Sequence, residues 1–108
     1  PSLMGTGPVP ALRKAILSAR LVVGDLDIIE LNEAFASQSL ACIKDLNIDP
    51  QKVNIDGGAI ALGHPLGATG VRITAKAAQI LKREKKKYAL ATQCIGLGQG
   101  IATILESY

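Results

Sequence analysis

One histidine stands in the whole chain, His64, and it lies inside the run Gly57-Gly58-Ala59-Ile60-Ala61-Leu62-Gly63-His64-Pro65-Leu66-Gly67-Ala68-Thr69-Gly70. An imidazole titrates near neutral pH, which suits it to general acid or base work. Pro65 biases the His64 backbone towards extended geometry, and the surrounding glycines let other groups come close. On this loop alone, a glycine-rich turn with an incidental histidine explains the run as well. Two other residues bear on the choice. Asn32 and Cys94, like His64, each stand at or just beyond the end of an expected strand, next to a turn or a helix start. Ligands of open α/β sheets bind at the carboxyl ends of strands, so the three side chains can converge there. Cys94 precedes the turn Gly96-Leu97-Gly98-Gln99-Gly100, where backbone amides are accessible, and is a better functional candidate than Cys42.

The elements that must position these residues follow from periodicity and turn chemistry. Pro8-Val9-Pro10 leads into a helix with Leu12, Ala15, Ile16 and Ala19 at helical spacing, and Gly24-Asp25 ends that unit. Asp27-Ile28-Ile29-Glu30-Leu31 has the continuous apolar character of a strand buried on both faces. Asn32 follows directly and opens a second helix, with Asn32 as its cap and a stripe through Phe35, Ala36, Leu40, Cys42, Ile43 and Leu46. Cys42, on that stripe, is expected to be a packed, inert thiol.

Asp49-Pro50 marks a turn and Val53-Asn54-Ile55 a short strand leading into the His64 loop. A third helix is predicted from about Gly67 to about Arg83, with Val71, Ala75, Ala78 and Leu81 on its inner face. Tyr88 to Cys94 and Ile101 to Leu105 read as two strands joined by the glycine turn. The alternation predicts an α/β fold: a layered, mainly parallel sheet covered by helices, closed by an antiparallel β-hairpin.

Composition narrows the function. With 108 residues, 48% of them hydrophobic, the chain suits one modest core and one domain. Aromatic residues make up only 3%, so Ala, Ile, Leu and Val must fill that core. The net charge of +3 is mild, and much of it sits in Lys82-Arg83-Glu84-Lys85-Lys86-Lys87, which reads as a solvated helix end. One Phe and two Tyr offer no stacking platform, so nucleic acid is not an expected partner. No apolar run reaches transmembrane length and no signal-peptide layout opens the chain, so no membrane partner is expected and the location is read as cytoplasmic. Cys42, Cys94 and His64 have no recognised metal-ligand spacing, so no metal site is expected, and no bound cofactor is implied.

Asn32-Glu33-Ala34-Phe35-Ala36, the Gly57 to Gly70 run with its Gly-His-Pro centre, and Cys94-Ile95-Gly96-Leu97-Gly98-Gln99-Gly100 resemble the three C-terminal motifs of the thiolases. Met4-Gly5-Thr6-Gly7-Pro8-Val9-Pro10-Ala11 fits as well, so the resemblance covers essentially the whole chain. It implies an enzyme that cleaves or condenses 3-oxoacyl-CoA thioesters, with acyl-CoA and CoA as substrates and an acyl group carried on a nucleophilic cysteine. Carried over position by position, His64 activates that nucleophile and polarises the thioester carbonyl. Cys94 moves the proton at the carbon alpha to the thioester. Asn32 positions a water beside His64, the Gly96 amide contributes to a second oxyanion pocket, and Phe35 and Gly63 lie on the substrate side. Enolate and tetrahedral oxygens need such preorganised donors.

Two departures from the family pattern stand out. Leu97 replaces the middle glycine of the usual Cys-x-Gly-Gly-Gly run. The chain also matches only the C-terminal part of the second thiolase half, so the nucleophile and most CoA contacts belong to an N-terminal half, the expected partner, and the leading strand of the second half is expected to be absent. Self-association is expected too, as a homo-oligomer. Two other readings compete. Gly58 to Gly63 has phosphate-loop glycine spacing, which suggests a nucleotide-binding module, but His64-Pro65 stands where Lys and Ser or Thr are needed. A non-catalytic assembly role suits the isolated chain.

Overall fold

A computed structural model describes residues 6–95 and 99–108. Helix α1 (Pro8–Ala19) starts with two prolines in its first turn, where a missing N–H costs nothing, and ends at Arg20 in the left-handed conformation. It buries Val9, Leu12 and Ile16, whereas Ala15 is half-buried and Ala19 exposed, so the predicted stripe is correct only along its centre. Strand β1 (Ile28–Leu31) is buried at all four positions, as its continuous apolar pattern predicts.

Helix α2 spans Ala36–Asp45 with Phe35 at its N-cap position, three residues later than predicted. Asn32 is therefore not its cap. Of the predicted stripe, Cys42 and Leu46 are buried and Ile43 half-buried, but Phe35, Ala36 and Leu40 face outward. A single turn, α3 (Ala59–Leu62), unexpected from the glycine-rich sequence, precedes helix α4 (Thr69–Glu84). The basic run after it is exposed from Lys82 to Lys87, a solvated helix end.

Strands β2 (Tyr88–Ile95) and β3 (Gln99–Glu106) form the expected antiparallel hairpin, in register from Tyr88↔Glu106 to Ile95↔Gln99. Its turn, Gly96 to Gly98, lies outside the described residues. β1 pairs with β2 in parallel, Ile28 opposite Ala89 and Leu31 opposite Thr92, giving a mixed sheet in the order β1-β2-β3. The predicted strand at Val53 to Ile55 shrinks to one bridge, Ile29 to Val53.

Two apolar clusters hold the layers together. Leu12, Ile16, Leu26, Ile29, Cys42 and Leu90 belong to the one that joins α1 and α2 to the sheet. Ile28, Ile73, Ala77, Ile80, Leu81, Ala89 and Ala91 form the other, beneath α4. Each fully buried Leu or Ile contributes about 1.5–3 kcal/mol of transfer free energy, so both faces of the sheet stabilise the fold. The inner face of α4 corrects the sequence reading, because Val71, Ala75 and Ala78 are exposed and only Leu81 of the predicted stripe is buried. Among the described residues no helix is long and apolar enough to cross a membrane.

Candidate active site

The loop that carries His64 is shaped by its glycines. Gly57 and Gly63 have φ of +91° and +98°, a region that residues with a Cβ rarely adopt. Gly58 packs against Glu33, where a Cβ would lie 2.3 Å from Oε1. That same Glu33 Oε1 accepts a hydrogen bond from the Ile60 amide at 3.1 Å, which anchors the start of α3. The residue after Asn32 thus ties its segment to the His64 loop.

His64 is half-buried and held at both ring nitrogens. Nδ1 lies 2.6 Å from Thr69 Oγ1, and the Thr69 hydroxyl donates to the Pro65 carbonyl at 3.0 Å. With its proton committed to Pro65, the Thr69 oxygen acts as acceptor, so the neutral ring carries its proton on Nδ1. Nε2 is left with its lone pair, facing Asn32 Nδ2 at 3.4 Å. This is the tautomer of a ring poised to accept a proton at Nε2.

Asn32 is fully buried at the end of β1, and its amide continues the parallel ladder by donating to Thr92 O at 2.9 Å. The other edge of β1 is closed by a side chain. Asn54, with φ of +50°, accepts from Leu31 N at 2.9 Å and donates through Nδ2 to Leu31 O at 2.8 Å. Its own amide donates to Ile29 O at 2.8 Å. Asn54 thereby supplies with one side chain the bonds a neighbouring strand would supply, which is why the predicted strand reduces to a bridge.

Cys94 sits near the end of β2, two residues past Thr92 and opposite Gly100. It is half-buried, at the same carboxyl end of the sheet as Asn32. By strand alternation it shares the face of Leu90 and Thr92, the side of α2. Cys42 is fully buried on α2, and burial above all, with the nearby Cys94 a lesser cause, pushes its thiol up and leaves it a packed, inert group. Phe35 is exposed at the start of α2, and Gly63 directly precedes His64. Gly96 lies outside the described residues.

The structure therefore joins Asn32 and His64 directly, on the α4 face, and sets Cys94 on the neighbouring strand end with its side chain on the α2 face; among the described residues the expected convergence is seen as a contact only for Asn32 and His64. Sequence reasoning assigned no role to Thr69, Glu33 or Asn54. The first two stand inside the quoted motifs, and their polarity amid small residues was the available signal. Beneath the site, burial pushes the Glu30 carboxyl up to about 7; Arg72 pulls it back, Asp56 raises it further, Lys76 opposes and Glu33 adds to the rise. At the surface, Arg83 grips Asp56 with two bonds of 2.8 and 2.9 Å and Lys76 adds a third, which holds the Asp56 carboxyl low. Among the described residues no group of three His, Cys, Asp or Glu side chains is arranged to hold a metal ion.

A family profile described as thiolase, C-terminal domain, matches residues 1–107. A 3-ketoacyl-CoA thiolase of Photorhabdus laumondii is 60% identical over 109 residues, which cover 98% of this chain and 28% of that protein. One from Vibrio vulnificus is 58% identical with the same coverage. The crystal structure of human mitochondrial 3-ketoacyl-CoA thiolase superposes with a TM-score of 0.96 at 53% identity, over 99% of this chain and 27% of that one. The same human enzyme in complex with CoA gives a TM-score of 0.97. The chain thus spans about 28% of the length of the relatives it matches.

Proposed function

Because this chain belongs to the thiolase family, through its C-terminal domain, we propose that it supplies the base and proton-transfer half of an enzyme that cleaves 3-ketoacyl-CoA thioesters. The observation that carries the proposal is the His64 network: Thr69 fixes the proton on Nδ1, and Nε2 faces the buried Asn32 amide at the end of β1. In the forward reaction Nε2 takes the proton of a nucleophilic cysteine, whose sulfur attacks the 3-keto carbon. The bond between C2 and C3 breaks, and its electrons pass to C2 and the thioester oxygen as an enolate. Cys94 gives its proton to C2, releasing acetyl-CoA, and then takes the thiol proton of an incoming CoA. That CoA attacks the acyl-enzyme and restores the cysteine. His64, with a water held by Asn32, stabilises the enolate oxygen, while the Gly96 amide serves the tetrahedral oxygen.

The nucleophilic cysteine is assigned to an N-terminal half, since Cys42 is buried and Cys94 has the proton-transfer role. The outward stripe of α4 supports that partner: Val71, Ala75 and Ala78, with Leu105 of β3, line an apolar groove. A cytoplasmic location and a homo-oligomer complete the reading. Nucleotide binding is not favoured, since the glycines of residues 57–63 shape the turn around α3 and the loop offers no Lys or Ser for phosphate.

The test is cleavage of acetoacetyl-CoA by the purified chain alone and after addition of a separately expressed N-terminal half. Turnover only in the mixture, abolished in His64→Ala and Cys94→Ala, is expected. Robust turnover by the chain alone would overturn the assignment of the nucleophile. No turnover in a mixture that forms a stable complex would overturn the activity itself.

A further inference from the structure

Three buried polar atoms at the back of the site have no hydrogen-bond partner among the described residues: Glu30 Oε2, Asn32 Oδ1 and Arg72 Nε. Glu30 and Asn32 are two residues apart on extended chain, so their side chains leave the same face. That face is the α4 side, where Arg72 and Lys76 act on Glu30 and where Thr69 holds the ring that Asn32 touches. Asn32 Nδ2 is committed to His64, so Oδ1 is the end of the amide that needs a donor. A buried carbonyl without one costs about 1–3 kcal/mol. A neutral Glu30 carries an O–H suited to that oxygen. An ionised Glu30 carries none, and then matches the unpaired N–H of Arg72.

We propose that Glu30 is a positioning residue for the His64 and Asn32 pair: as a neutral acid it donates to Asn32 Oδ1 and keeps Nδ2 on His64, and as a carboxylate it turns to Arg72 and releases the amide. The charged groups facing Glu30 are Arg72 and Lys76 from α4, Asp56 from the loop before α3, and Glu33 beyond β1. Burial, Asp56 and Glu33 favour the neutral acid, while Arg72 and Lys76 favour the carboxylate. Their balance places the exchange at about pH 7. Glu30 touches neither substrate nor reacting atom; it acts through the orientation of Asn32.

The kinetic arm rests on the thiolase reading and uses the complete two-half enzyme. Glu30→Gln retains a donor for Asn32 and an acceptor for Arg72 but cannot ionise. A group with a pKa of about 7 is neutral in roughly one molecule in ten at pH 8. The ratio of kcat in Glu30→Gln to wild type should therefore rise about tenfold between pH 6 and pH 8. Glu30→Met, without a donor, should lose about tenfold in kcat at pH 6 with KM within twofold, and Glu30→Gln should restore it. A ratio that stays flat with pH, or a Glu30→Met enzyme with wild-type kcat, overturns the inference. The second arm needs no activity: the side-chain amide resonances of Asn32 in this chain should shift with an inflection near pH 7 that Glu30→Gln removes. Its presence in wild type with an inactive mixture condemns the thiolase reading alone, and its persistence in Glu30→Gln condemns the role given to Glu30.

Discussion

Thr69→Val is the sharpest probe of the His64 network. Valine keeps the shape of threonine but has no oxygen, so it removes the acceptor that lies 2.6 Å from Nδ1. Thr69 is fully buried, whereas His64 is half-buried, so water can reach the ring and replace part of the lost bond. The folding cost should therefore stay near the net value of one hydrogen bond, about 1 kcal/mol, not the larger penalty of a sealed orphan donor. The Pro65 carbonyl loses little, because it also accepts from the Ala68 and Thr69 amides. The tautomer is a different matter. Withdrawing about 1–1.5 kcal/mol from one tautomer changes the ratio of Nδ1–H to Nε2–H roughly 5- to 13-fold. His64 is the only histidine, so the ¹⁵N spectrum of the imidazole reports a single ring. Wild type should show a protonated Nδ1 and a bare Nε2 in the neutral ring, and Thr69→Val should move towards protonated Nε2. In the complete enzyme the variant should lose kcat with little change in KM, since a proton on Nε2 blocks acceptance there. A wild-type ring protonated at Nε2, or an unchanged spectrum in Thr69→Val, would refute the tautomer assignment.

Stability should carry a signature of Glu30. Its carboxyl rises from 4.5 to about 7 on folding, so the folded state holds the extra proton between those values and stability falls as pH increases through that window. The shift corresponds to about 3 kcal/mol, lost fully above pH 7, and urea midpoints at pH 5 and pH 8 measure it; in Glu30→Gln the difference should vanish. Asp56 acts in the opposite sense, its contribution disappearing as pH falls through its lowered carboxyl range, so an acid limb should remain in that variant. Gly100→Ala tests the seat of α1 on the sheet: the added Cβ would lie 2.1 Å from the Gly7 carbonyl atoms, where only backbone could move. A loss of about 1–3 kcal/mol or more is expected, against a change within about 0.5 kcal/mol for Gly24→Ala, which meets nothing within 4 Å; equal midpoints for the two would discard that packing argument.

Features set by local chemistry were legible without coordinates. The continuous apolar run of β1 called for a strand buried on both faces, and all four of its residues are buried. The glycine turn between two strand-like runs called for a hairpin, and β2 and β3 pair along their whole length. Prolines placed the start of α1, and the motifs around Asn32, His64 and Cys94 pointed to the family and to the residues worth following. These signals reside in backbone preference and in the order of residue types, which every copy of the sequence carries whatever it packs against.

Tertiary structure decided which surfaces meet. Helix α4 has apolar residues both on Val71, Ala75 and Ala78 and on Ile73, Ala77 and Ile80, and periodicity shows two stripes without ranking them. The sheet chose the second, because Ile28, Ala89 and Ala91 of β1 and β2 complement it, and left the first facing outward. Asn54 could be recognised as a substitute strand edge only once its side chain lay beside Leu31. Thr69 fixes the proton of His64, and Glu30 is raised towards neutrality, because of groups brought close by folding and water driven out. A sequence lists donors, acids and apolar faces, but hydrogen-bond direction and desolvation belong to pairs of groups in contact, and those pairs exist only in the folded chain.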